Sequence, residues 1–433
     1  MLSFVKVGWD RGAIGASNDA DDTGGDDLMR ASSDHILTSH SGSLPRPDDL
    51  IEANRQRDAG AAVDEQRFQE QLRAAVTDVV HRQHQIDIDI PGDGEFGKSM
   101  GHRVNYGAWW SYCFNRLGGL DLSSGAGLYE LPPKRSRPGE IVLTSMADRR
   151  DRIRFPALYD DPEGPASIGP RRATWPVCVG PLFYRGQHAI QTDIANFKAA
   201  LKSCSIEEGF MTSIAPGSAI RIANKYYKTD EEFLFACADA MREEYKAIVE
   251  AGLILQLDDP SVAENWDMIN PEPTVEDYKK FSMVRVEAIN HAIKGLPEDR
   301  IRFHLCWGSW HGPHTTDIPM RDIVDVMLAV KCQAYSFEAG NVRHEHEWVV
   351  WQDVKLPDGK LILPGVVSHA TNVVEHPELV AQRILRFANF VGRERVIAST
   401  DCGLGGRVHP MIAWAKLETL AHGAALASRQ LWR

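Results

Sequence analysis

The segment from Ile301 to Cys306 reads IRFHLC. It is a short, mainly apolar run typical of a buried strand, and its end places His304 and Cys306 two positions apart. Side chains alternate between the two faces of a strand, so residues at i and i+2 point the same way. An imidazole and a thiolate arranged like this supply two of the four ligands of a zinc ion. We therefore predict a strand whose C-terminal end carries half of a zinc site.

Two later segments offer the remaining ligands. YSFE ends at Glu338 and VIASTDCG carries Cys402, and each segment continues an apolar run typical of a strand. The C-terminal ends of the strands meet at one mouth of a parallel barrel, so the four side chains can converge there. Alternatively, each cysteine is a small buried hydrophobic residue, and the residues alone leave both interpretations open. We expect that structural role for the five other cysteines: Cys113, Cys178, Cys204, Cys237 and Cys332.

Composition limits the class of protein and its partners. A chain of 433 residues with 43% hydrophobic and 25% charged residues has the balance of a globular protein with a large core. The net charge of −12 argues against a nucleic-acid partner, which requires a basic surface. No apolar run reaches the roughly 18 residues of a membrane span, and the first residues lack a secretory signal. Without a framework of paired cysteines, we expect a cytoplasmic protein.

Residues 13–33 are rich in Asp, Gly and Ser and have almost no large apolar side chains. Such a segment cannot bury enough surface to offset the entropy lost on ordering. We predict a disordered acidic tail over residues 1–33 and a single barrel domain over residues 34–433. The alternative for the tail is a regulatory or partner-binding arm.

Strand-like and helix-like segments alternate through the rest of the chain. The segment Glu65 to His84 carries apolar residues at helical spacing, Thr229 with Glu232 forms a capping-box pair, and Pro377 and Gly392 delimit a later helix. Eight strands alternating with helices is the pattern of a (β/α)8 barrel, an α/β fold. The approximate strand starts are His35, Ile86, Phe210, Leu253, Ile301, Ala334, Ile362 and Arg395.

The stretch from about residue 98 to residue 172 lacks this periodicity. It is rich in Arg, Pro, Gly and aromatic residues, and a loop of this length inside a compact domain is often a lid. We predict an insertion that folds over the mouth of the barrel and ends in a short strand near Trp175 to Val179. Its aromatic residues can stack on a flat ring or pack the lid itself, and the most prominent are Trp109, Trp110 and Tyr112.

Polar residues follow several of the predicted strands, where a barrel binds its substrate. The turn Ser41-Gly42-Ser43 can hold an anion, because its glycine allows a close approach of the backbone. Asp93-Gly94-Glu95 and the pair Asp258-Asp259 place carboxylates in equivalent positions. An ordinary solvated turn is the alternative. In WGSWHGPH, His311 and His314 are either extra metal ligands or lid residues, and we favour the lid.

Seven motifs occur in the order and spacing of a known family, over nearly all of the chain from His35 to Arg433. The motifs are TSHSGSLPRP, GDGEF, LQLDDP, FHLC, YSFEAGN, GVVSHATN and STDCGLGG. The chain resembles the catalytic barrel of cobalamin-independent methionine synthase. It is most similar to single-barrel members, often labelled methionine synthase II-like, a group that also includes epoxyalkane:coenzyme M transferase.

The resemblance implies roles for particular residues. The positions that match the zinc ligands of the family are His304, Cys306, Glu338 and Cys402. His369 matches a histidine that relays a proton. Glu95 and Asp258 match carboxylates that hold the amino group of homocysteine, and Ser41 and Ser43 fall in the turn that holds its carboxylate. The implied cofactor is Zn2+, with tetrahydrofolate or methyltetrahydrofolate as a co-substrate.

The sequence also departs from the family pattern. Full-length methionine synthases carry an additional N-terminal barrel, and nothing in these residues corresponds to it. A family tryptophan that stacks on the pterin has no counterpart in APGSAIRIANKYYK, where Tyr226 or Tyr227 is the candidate substitute. The loops that follow Cys306 and Glu338 differ from the family as well. The resemblance leads us to expect a folate and homocysteine as substrates. These departures from the family pattern weaken that expectation.

We expect a zinc-dependent alkyltransferase that activates a small thiol, similar to homocysteine or coenzyme M, for attack on a methyl donor or an epoxide. The alternative is a tetrahydrofolate-dependent O-demethylase of aryl methyl ethers that uses the same zinc site. A third hypothesis is a non-catalytic zinc-binding protein for storage or sensing. It is disfavoured because Glu95, Asp258 and His369 accompany the ligands, and storage needs none of them.

Overall fold

The computed structural model describes residues 29–102, 107–122, 132–161, 164, 166 and 176–433. The strands in these ranges are β1 (Leu117–Asp121), β2 (Val177–Tyr184), β3 (Phe210–Ile214), β4 (Ala223–Asn224), β5 (Ile254–Asp258), β6 (Ile301–Leu305), β7 (Ala334–Phe337), β8 (Leu361–Val367) and β9 (Ser399–Thr400).

Helices flank these strands along the chain. The α-helices are α1 (Asp48–Asp58), α2 (Glu65–Gln85), α3 (Ala108–Arg116), α4 (Arg150–Arg154), α5 (Pro156–Asp160), α6 (Gln187–Ser203), α7 (Pro216–Ala219), α8 (Asp230–Glu250), α9 (Ser261–Glu264), α10 (Val275–Ala292), α11 (Val324–Leu328), α12 (Val350–Asp353), α13 (Pro377–Val391) and α14 (Pro410–Leu431). Short 3-10 helices span Met146–Asp148, Glu298–Arg300, Met320–Asp322, Glu345–Val349 and Arg393–Arg395.

Six parallel strands form the main sheet, in the order β3-β5-β6-β7-β8-β9. Two extended segments continue it at its edges, because Thr38 forms a parallel bridge with Ala398 and Gly92 forms one with Phe210. The backbone N–H of Ile90 donates to the carbonyl of Thr38 at 3.0 Å, which joins the two segments to each other. The ring is thereby closed, and the predicted (β/α)8 barrel is confirmed.

The two predicted strands near His35 and Ile86 are shorter than expected. Asp89 takes part in their place, since its carboxylate accepts hydrogen bonds from the Thr38 backbone N–H and the Thr38 hydroxyl, both at 2.9 Å. Side-chain bonds of this kind replace the regular ladder of a sheet. The segments therefore close the barrel through isolated bridges instead of through regular strands.

The floor of the barrel is filled by a cluster of apolar side chains from the beginnings of the strands. Met29 belongs to this cluster, and the hydroxyl of Ser32 donates to the carbonyl of Val396 at 2.6 Å. An apolar side chain and a buried hydroxyl hold residues 29–33 against the barrel. Packed structure therefore begins at least five residues before residue 34, where the barrel was predicted to start. Residues 1–28 of the predicted tail lie outside the described residues.

The predicted helix signals are confirmed. The apolar face of α2 is buried, the hydroxyl of Thr229 accepts the N–H of Glu232 at 3.0 Å, and Gly392 ends α13 with a φ of 95°. The buried residues of α2 include all four that the spacing indicated, which are Phe68, Leu72, Val76 and Val79.

The inserted region contains more regular structure than its sequence indicates. It carries α3, and β1 pairs antiparallel with β2, which is joined in parallel to β4. The prediction of an irregular stretch was wrong here because α3 buries Trp110, Tyr112 and Phe114 against the barrel, although its nine residues are too few for a clear periodicity. The predicted short strand is present as β2, while Trp175 lies outside the described residues.

Candidate metal centre and substrate cavity

Three of the four predicted metal ligands meet at the C-terminal mouth of the barrel. His304 lies near the end of β6, Cys306 follows that strand directly, and Cys402 lies just after β9. The potential ligand atoms of these three side chains all lie within 4.8 Å of one another. Strands far apart in sequence thus bring an imidazole and two sulfurs together.

The orientation of His304 suits it for binding a metal. Its Nδ1 is hydrogen bonded to the hydroxyl of Ser336 on β7 at 3.0 Å. Its Nε2 is buried and has no hydrogen-bond partner of ordinary geometry. A ligating histidine in proteins is typically held in this way through its other ring nitrogen. The orphaned nitrogen and two sulfurs are a donor set that fits zinc.

The two cysteines differ in their affinity for a proton. The pKa of Cys402 is well below its ordinary value, because the neighbouring thiol of Cys306 and imidazole of His304 stabilise its thiolate and outweigh its burial. The pKa of Cys306 is well above its ordinary value, since it shares its proton with Cys402 and is buried. The surroundings of Cys402 therefore favour its thiolate form.

Glu338 lies next to this cluster but is not part of it. One carboxylate oxygen accepts the N–H of Trp307 at 2.9 Å, and the other accepts from the side-chain amide of Asn341 at 2.7 Å. Burial raises the pKa of Glu338 well above its usual range, and the nearby Asp401 and Cys402 add to this effect. Its role as the fourth ligand remains a prediction.

His369 lies after β8, beside the cluster. It is buried, its Nδ1 has no hydrogen-bond partner, and the charge of Cys402 acts on it. Burial lowers its pKa to about 3, and Arg407 contributes in the same direction. The imidazole is therefore neutral in this arrangement.

A cavity of about 300 Å3 opens from the cluster toward the insertion. Its floor includes His304, Cys306 and Cys402, so both the imidazole and the two sulfurs reach the same space. All four predicted substrate-binding residues also line it, namely Ser41, Ser43, Glu95 and Asp258. The structure therefore brings three of the four predicted metal ligands and all four predicted substrate-binding residues into one cavity, and Glu338 is not among the residues that line it.

Family comparison agrees with this geometry. The sequence model of the family described as "Cobalamin-independent synthase, Catalytic domain" matches residues 166–425. The chain belongs to this family. The predicted resemblance is thereby confirmed, and the chain is an enzyme of the methyltransferase class. No helix among the described residues is both long and apolar enough to cross a membrane.

The alignments with curated relatives extend over nearly the whole length of this chain. Methionine synthase of Thermococcus kodakarensis is 24% identical over 401 residues, which cover 92% of this chain and 95% of the relative. Methionine synthase of Sulfurisphaera tokodaii is 25% identical over 409 residues, with 92% and 94% covered. Both alignments extend upstream of residue 166 and include the N-terminal part of the barrel.

A solved structure supports the fold. The B12-independent methionine synthase of Shewanella sp. W3-18-1, in complex with selenomethionine, superposes with a TM-score of 0.64 at 19% identity. The match covers 92% of this chain and 99% of the Shewanella chain. A second structure, from Listeria monocytogenes and described as a putative vitamin-B12 independent methionine synthase, has a TM-score of 0.58 at 17% identity.

The two predicted substrate carboxylates are held differently. Asp258 accepts the side-chain amide of Gln256 at 2.7 Å, and burial together with the charge of Glu95 raises its pKa to about 7. Glu95 has a left-handed backbone with a φ of 63° and accepts a hydrogen bond from Thr212 at 2.6 Å. A non-glycine residue in this conformation costs about 1–3 kcal/mol, which surrounding contacts must offset.

The serine turn is tied to the end of β9 and its loop. The hydroxyl of Ser41 donates to the carbonyl of Thr400 at 2.7 Å, so it already has an acceptor within the barrel. The hydroxyl of Ser43 makes two long contacts, each of 3.4 Å, to the carbonyl of Gly405 and from Arg46. Ser43 is therefore the better placed of the two hydroxyls for binding a substrate.

The insertion supplies the aromatic wall of the cavity. Trp109 and Trp110 line it as predicted, together with Phe114. Tyr112 does not, because its hydroxyl donates to the buried carboxylate of Glu244 at 2.8 Å and the ring packs in the core. Of the two roles left open for Tyr112, stacking on a flat ring or packing, its place in the core is that of a packing residue.

Two tyrosines proposed to replace the missing pterin-stacking tryptophan lie elsewhere. The Tyr227 ring stacks on Phe233 with centroids 5.6 Å apart, and Tyr226 is 49% exposed. Neither is among the residues that line the cavity. His314 forms an ion pair with Asp317 at 3.1 Å and is not in the metal cluster, as expected for a lid residue.

Sequence reasoning missed several residues of the cavity wall. The guanidinium of Arg149 lies 3.8 Å from the centre of the Trp310 ring, and Arg221 pairs with Glu264 at 2.5 Å, so both charged and aromatic groups contribute to the wall. Arg149 lies in the insertion and Trp310 in WGSWHGPH, more than a hundred residues apart. The abundance of arginine and tryptophan in both segments was the only signal available in the sequence.

Proposed function

We propose that this enzyme transfers a methyl or alkyl group to a small thiol and that it depends on zinc. The observation that carries the proposal is the shared cavity, in which His304, Cys306 and Cys402 form the floor and the aromatic residues of the insertion form the wall. A thiol bound at the floor would meet an electrophilic carbon held above it. Relatives named methionine synthase, 24% and 25% identical, support a thiol acceptor.

His304, Cys306 and Cys402 would hold the zinc ion, and Glu338 is the proposed fourth ligand. A bound zinc ion supplies a Lewis acid that favours the deprotonated form of a coordinated substrate thiol. Ser336 orients the imidazole through Nδ1, so the free Nε2 of His304 remains aimed at the site. Asn341 and the backbone of Trp307 hold the carboxylate of Glu338 beside it.

In the transfer step, the substrate sulfur forms a bond to the transferred carbon while the bond from that carbon to the donor breaks. The bonding electron pair stays on the donor, which then gains a proton, and the thiol loses one. His369 is the proposed carrier of this proton, because it is neutral, buried and adjacent to Cys402. The cavity wall positions the two substrates in line for the transfer.

Binding of the acceptor is assigned to Ser41, Ser43, Glu95 and Asp258, which line the lower cavity. The donor would occupy the upper cavity, against Trp109 and Trp110. A methyltetrahydrofolate-like donor or an epoxide fits this proposal, and tetrahydrofolate is then the co-product of the folate-like donor. All seven cysteines are unpaired, which supports a location in the reducing cytoplasm.

A second candidate function is the demethylation of aryl methyl ethers with tetrahydrofolate as the methyl acceptor. The aromatic wall favours it, since Trp109, Trp110 and Trp310 line one cavity and a flat methoxylated ring can stack on them. The zinc site would be the same, but the methyl group would leave an oxygen instead of arriving at a sulfur.

Zinc analysis and X-ray absorption at the zinc edge test both functions. We expect one zinc per chain with a shell of two sulfurs and two lighter atoms. Homocysteine or coenzyme M should add a third sulfur if the acceptor is a thiol. If neither thiol changes the shell and a methoxylated phenol yields methyltetrahydrofolate, the demethylase is correct. Purified protein without stoichiometric zinc would contradict both functions.

A further inference from the structure

A second cavity, of about 130 Å3, is enclosed by residues of the insertion, of α7, α8 and α10, and of the segment that carries β4. This volume is several times what one water molecule needs. Three cationic side chains line the second cavity, which are Lys134 of the insertion, Arg221 after α7 and Arg285 of α10. Arg221 also lines the substrate cavity, so the two cavities share one side chain.

Arg285 is a buried cation without a carboxylate partner. It is 6% exposed, its Nη1 donates to the carbonyl of Phe281 at 2.8 Å, and its Nε is buried with no hydrogen-bond partner. Within the described part of the chain, Arg285 takes part in no ion pair. Burial lowers its pKa to about 10, so the guanidinium is charged at neutral pH. A buried charge without a counter-ion is costly, and a ligand that supplies one is bound favourably.

Arg221 brings a second guanidinium to the same cavity. Its Nη1 donates to the carboxylate of Glu264 at 2.5 Å, whereas its Nε is buried without a hydrogen-bond partner. The charge of Arg221 acts on Arg285 and contributes to the lowered pKa of that residue. Two like charges beside one cavity repel each other, and an anion between them would be attracted by both.

Two acidic residues lie near Arg285. Asp230 lines the second cavity but is exposed, and Asp259 is buried with one carboxylate oxygen accepting the hydroxyl of Ser218 at 2.7 Å. The charges of both act on Arg285, yet neither carboxylate forms an ion pair with it. The two residues therefore reduce the positive potential of the cavity without neutralising the guanidinium by direct contact.

A glycine keeps space open beside the stem of Arg285. A Cβ atom at Gly217 would lie 3.1 Å from Cγ of Arg285 and 2.5 Å from the hydroxyl oxygen of Ser261. That hydroxyl is another buried group without a hydrogen-bond partner. Buried polar groups rarely remain unpaired, so a cluster of them around one cavity indicates a ligand that the groups can bind.

We propose that the second cavity binds a small oxyanion, a phosphate or a carboxylate, between the guanidinium groups of Arg221 and Arg285. The exposed ammonium group of Lys134 lies where the cavity meets solvent and adds to the attraction. A guanidinium fits two oxygens of such a group, and hydrogen bonds between charged partners are stronger than those between neutral ones.

The oxyanion has two possible sources. It is either a free ion or the acid group of a donor that extends past Arg221 from the substrate cavity. The first source is independent of the proposed function, and the second rests on it.

Isothermal titration of the full-length protein with inorganic phosphate tests the site. We expect saturable binding of one phosphate per chain. Arg285→Met removes the charge at similar length and should raise the dissociation constant about tenfold or more. Lys134→Met should also weaken binding, and because Lys134 is exposed its replacement should not disturb folding. Lys280→Met is the matched control, since it removes a charge from an exposed face of α10 and should leave the dissociation constant unchanged.

Selenate soaked into crystals grown without phosphate or sulfate locates the anion by its anomalous scattering. We expect a peak within hydrogen-bond distance of the Arg285 guanidinium. A wild-type protein that binds no phosphate, a cavity that holds only water, or a dissociation constant that Arg285→Met leaves unchanged would overturn the proposal.

Competition with methyltetrahydrofolate distinguishes the two sources. Displacement of methyltetrahydrofolate by phosphate, with about tenfold weaker binding of methyltetrahydrofolate to Arg285→Met, would support the site and assign it to the acid group of the donor. Independent binding of the two would support the site and assign it to a free anion. A protein without zinc would contradict the proposed function and leave the phosphate titration unaffected.

Discussion

The two ring nitrogens of His304 have different surroundings, and this difference prepares the residue for a metal. Ser336 engages Nδ1, while Nε2 is buried without a partner and faces two sulfurs. An unpaired buried nitrogen costs free energy, so its persistence points to a ligand that satisfies it. Glu338 differs, because both of its oxygens have donors within the protein.

His369 is the residue whose replacement best separates catalysis from metal binding. His369→Ala should lower turnover by about 10²–10⁴-fold, because it removes the proposed proton carrier. Zinc content should stay at the wild-type level, since His369 is not among the three clustered ligands. Both quantities are measured on the same preparation, by a transfer assay and by metal analysis.

His422→Ala is the matched control, since that histidine is exposed on α14 and remote in sequence from the site residues. Unchanged turnover in His369→Ala, or loss of zinc together with activity, would contradict the proton-carrying role.

At the scale of elements, the site depends on how closely strands and turns approach one another. A Cβ atom at Gly365 on β8 would lie 2.4 Å from the Cα of Asp401, so only glycine lets β8 pack against the segment that leads to Cys402. Asp401 in turn accepts the N–H groups of Ala339 and Gly340 at 2.7 Å. The ends of β7, β8 and β9 are thereby linked. Their relative positions determine how close the side chains of the metal cluster lie to one another.

A glycine in α14 provides a test of packing against local propensity. By propensity alone, Gly423→Ala should stabilise a helix by about 1 kcal/mol. A Cβ at this position would lie 2.3 Å from a methyl group of Val380 on α13 and 3.0 Å from the carbonyl of Pro377. We expect the clash to prevail and the substitution to lower the free energy of unfolding by about 1–3 kcal/mol.

Denaturant unfolding measures this change. Ala425→Gly is the control on the exposed side of the same helix, where propensity alone should cost about 1 kcal/mol. A Gly423→Ala protein as stable as the wild type would show that α13 and α14 adjust without cost.

Across the whole molecule, buried charges join loops that follow different strands. The carboxylate of Asp317 pairs with His314 at 3.1 Å and with His344 at 3.2 Å, which links the loops after β6 and β7. Burial alone would raise the pKa of Asp317, but hydrogen bonds from the two histidines prevail and lower it to about 2. The ring of His344 also stacks on Trp307 at 4.0 Å, beside the metal cluster.

This pairing predicts how stability depends on pH. Because the pKa is about 2 in the folded protein and 3.8 ordinarily, the stabilisation is complete above pH 3.8 and is lost as pH falls toward 2. At neutral pH, Asp317→Asn should lower the free energy of unfolding by about 3–5 kcal/mol, since it removes the buried negative charge that pairs with one ring nitrogen of each histidine. The difference between variant and wild type should shrink as the pH falls through that interval.

Denaturant unfolding over this pH range checks both statements. Asp325→Asn is the control, because its pair with Lys279 involves a carboxylate that is 62% exposed and should contribute less than about 1 kcal/mol. A constant difference between Asp317→Asn and wild type down to pH 2 would contradict the assignment.

The sequence alone predicted the barrel, most of its helices and most of the side chains that meet at its mouth. Hydrophobic periodicity, caps and residues at strand ends are local properties, and the motifs around His304, Glu338 and Cys402 lie at predictable places in a parallel barrel. Two features were less evident from the sequence. At Thr38 and Gly92, side-chain hydrogen bonds and single bridges replace regular strands, and in the insertion, burial of aromatic residues stabilises a helix that has no clear periodicity.

Only the tertiary structure decided which side chains share the cavity and how they are charged. Arg149 meets Trp310 across more than a hundred residues, and Tyr112 turns into the core toward Glu244. Lys98 is three residues from Glu95 in sequence, but the left-handed turn at Glu95 brings its ammonium back to the carboxylate. Contacts of this kind depend on backbone geometry and on the packing of distant segments, which no local pattern of residues records.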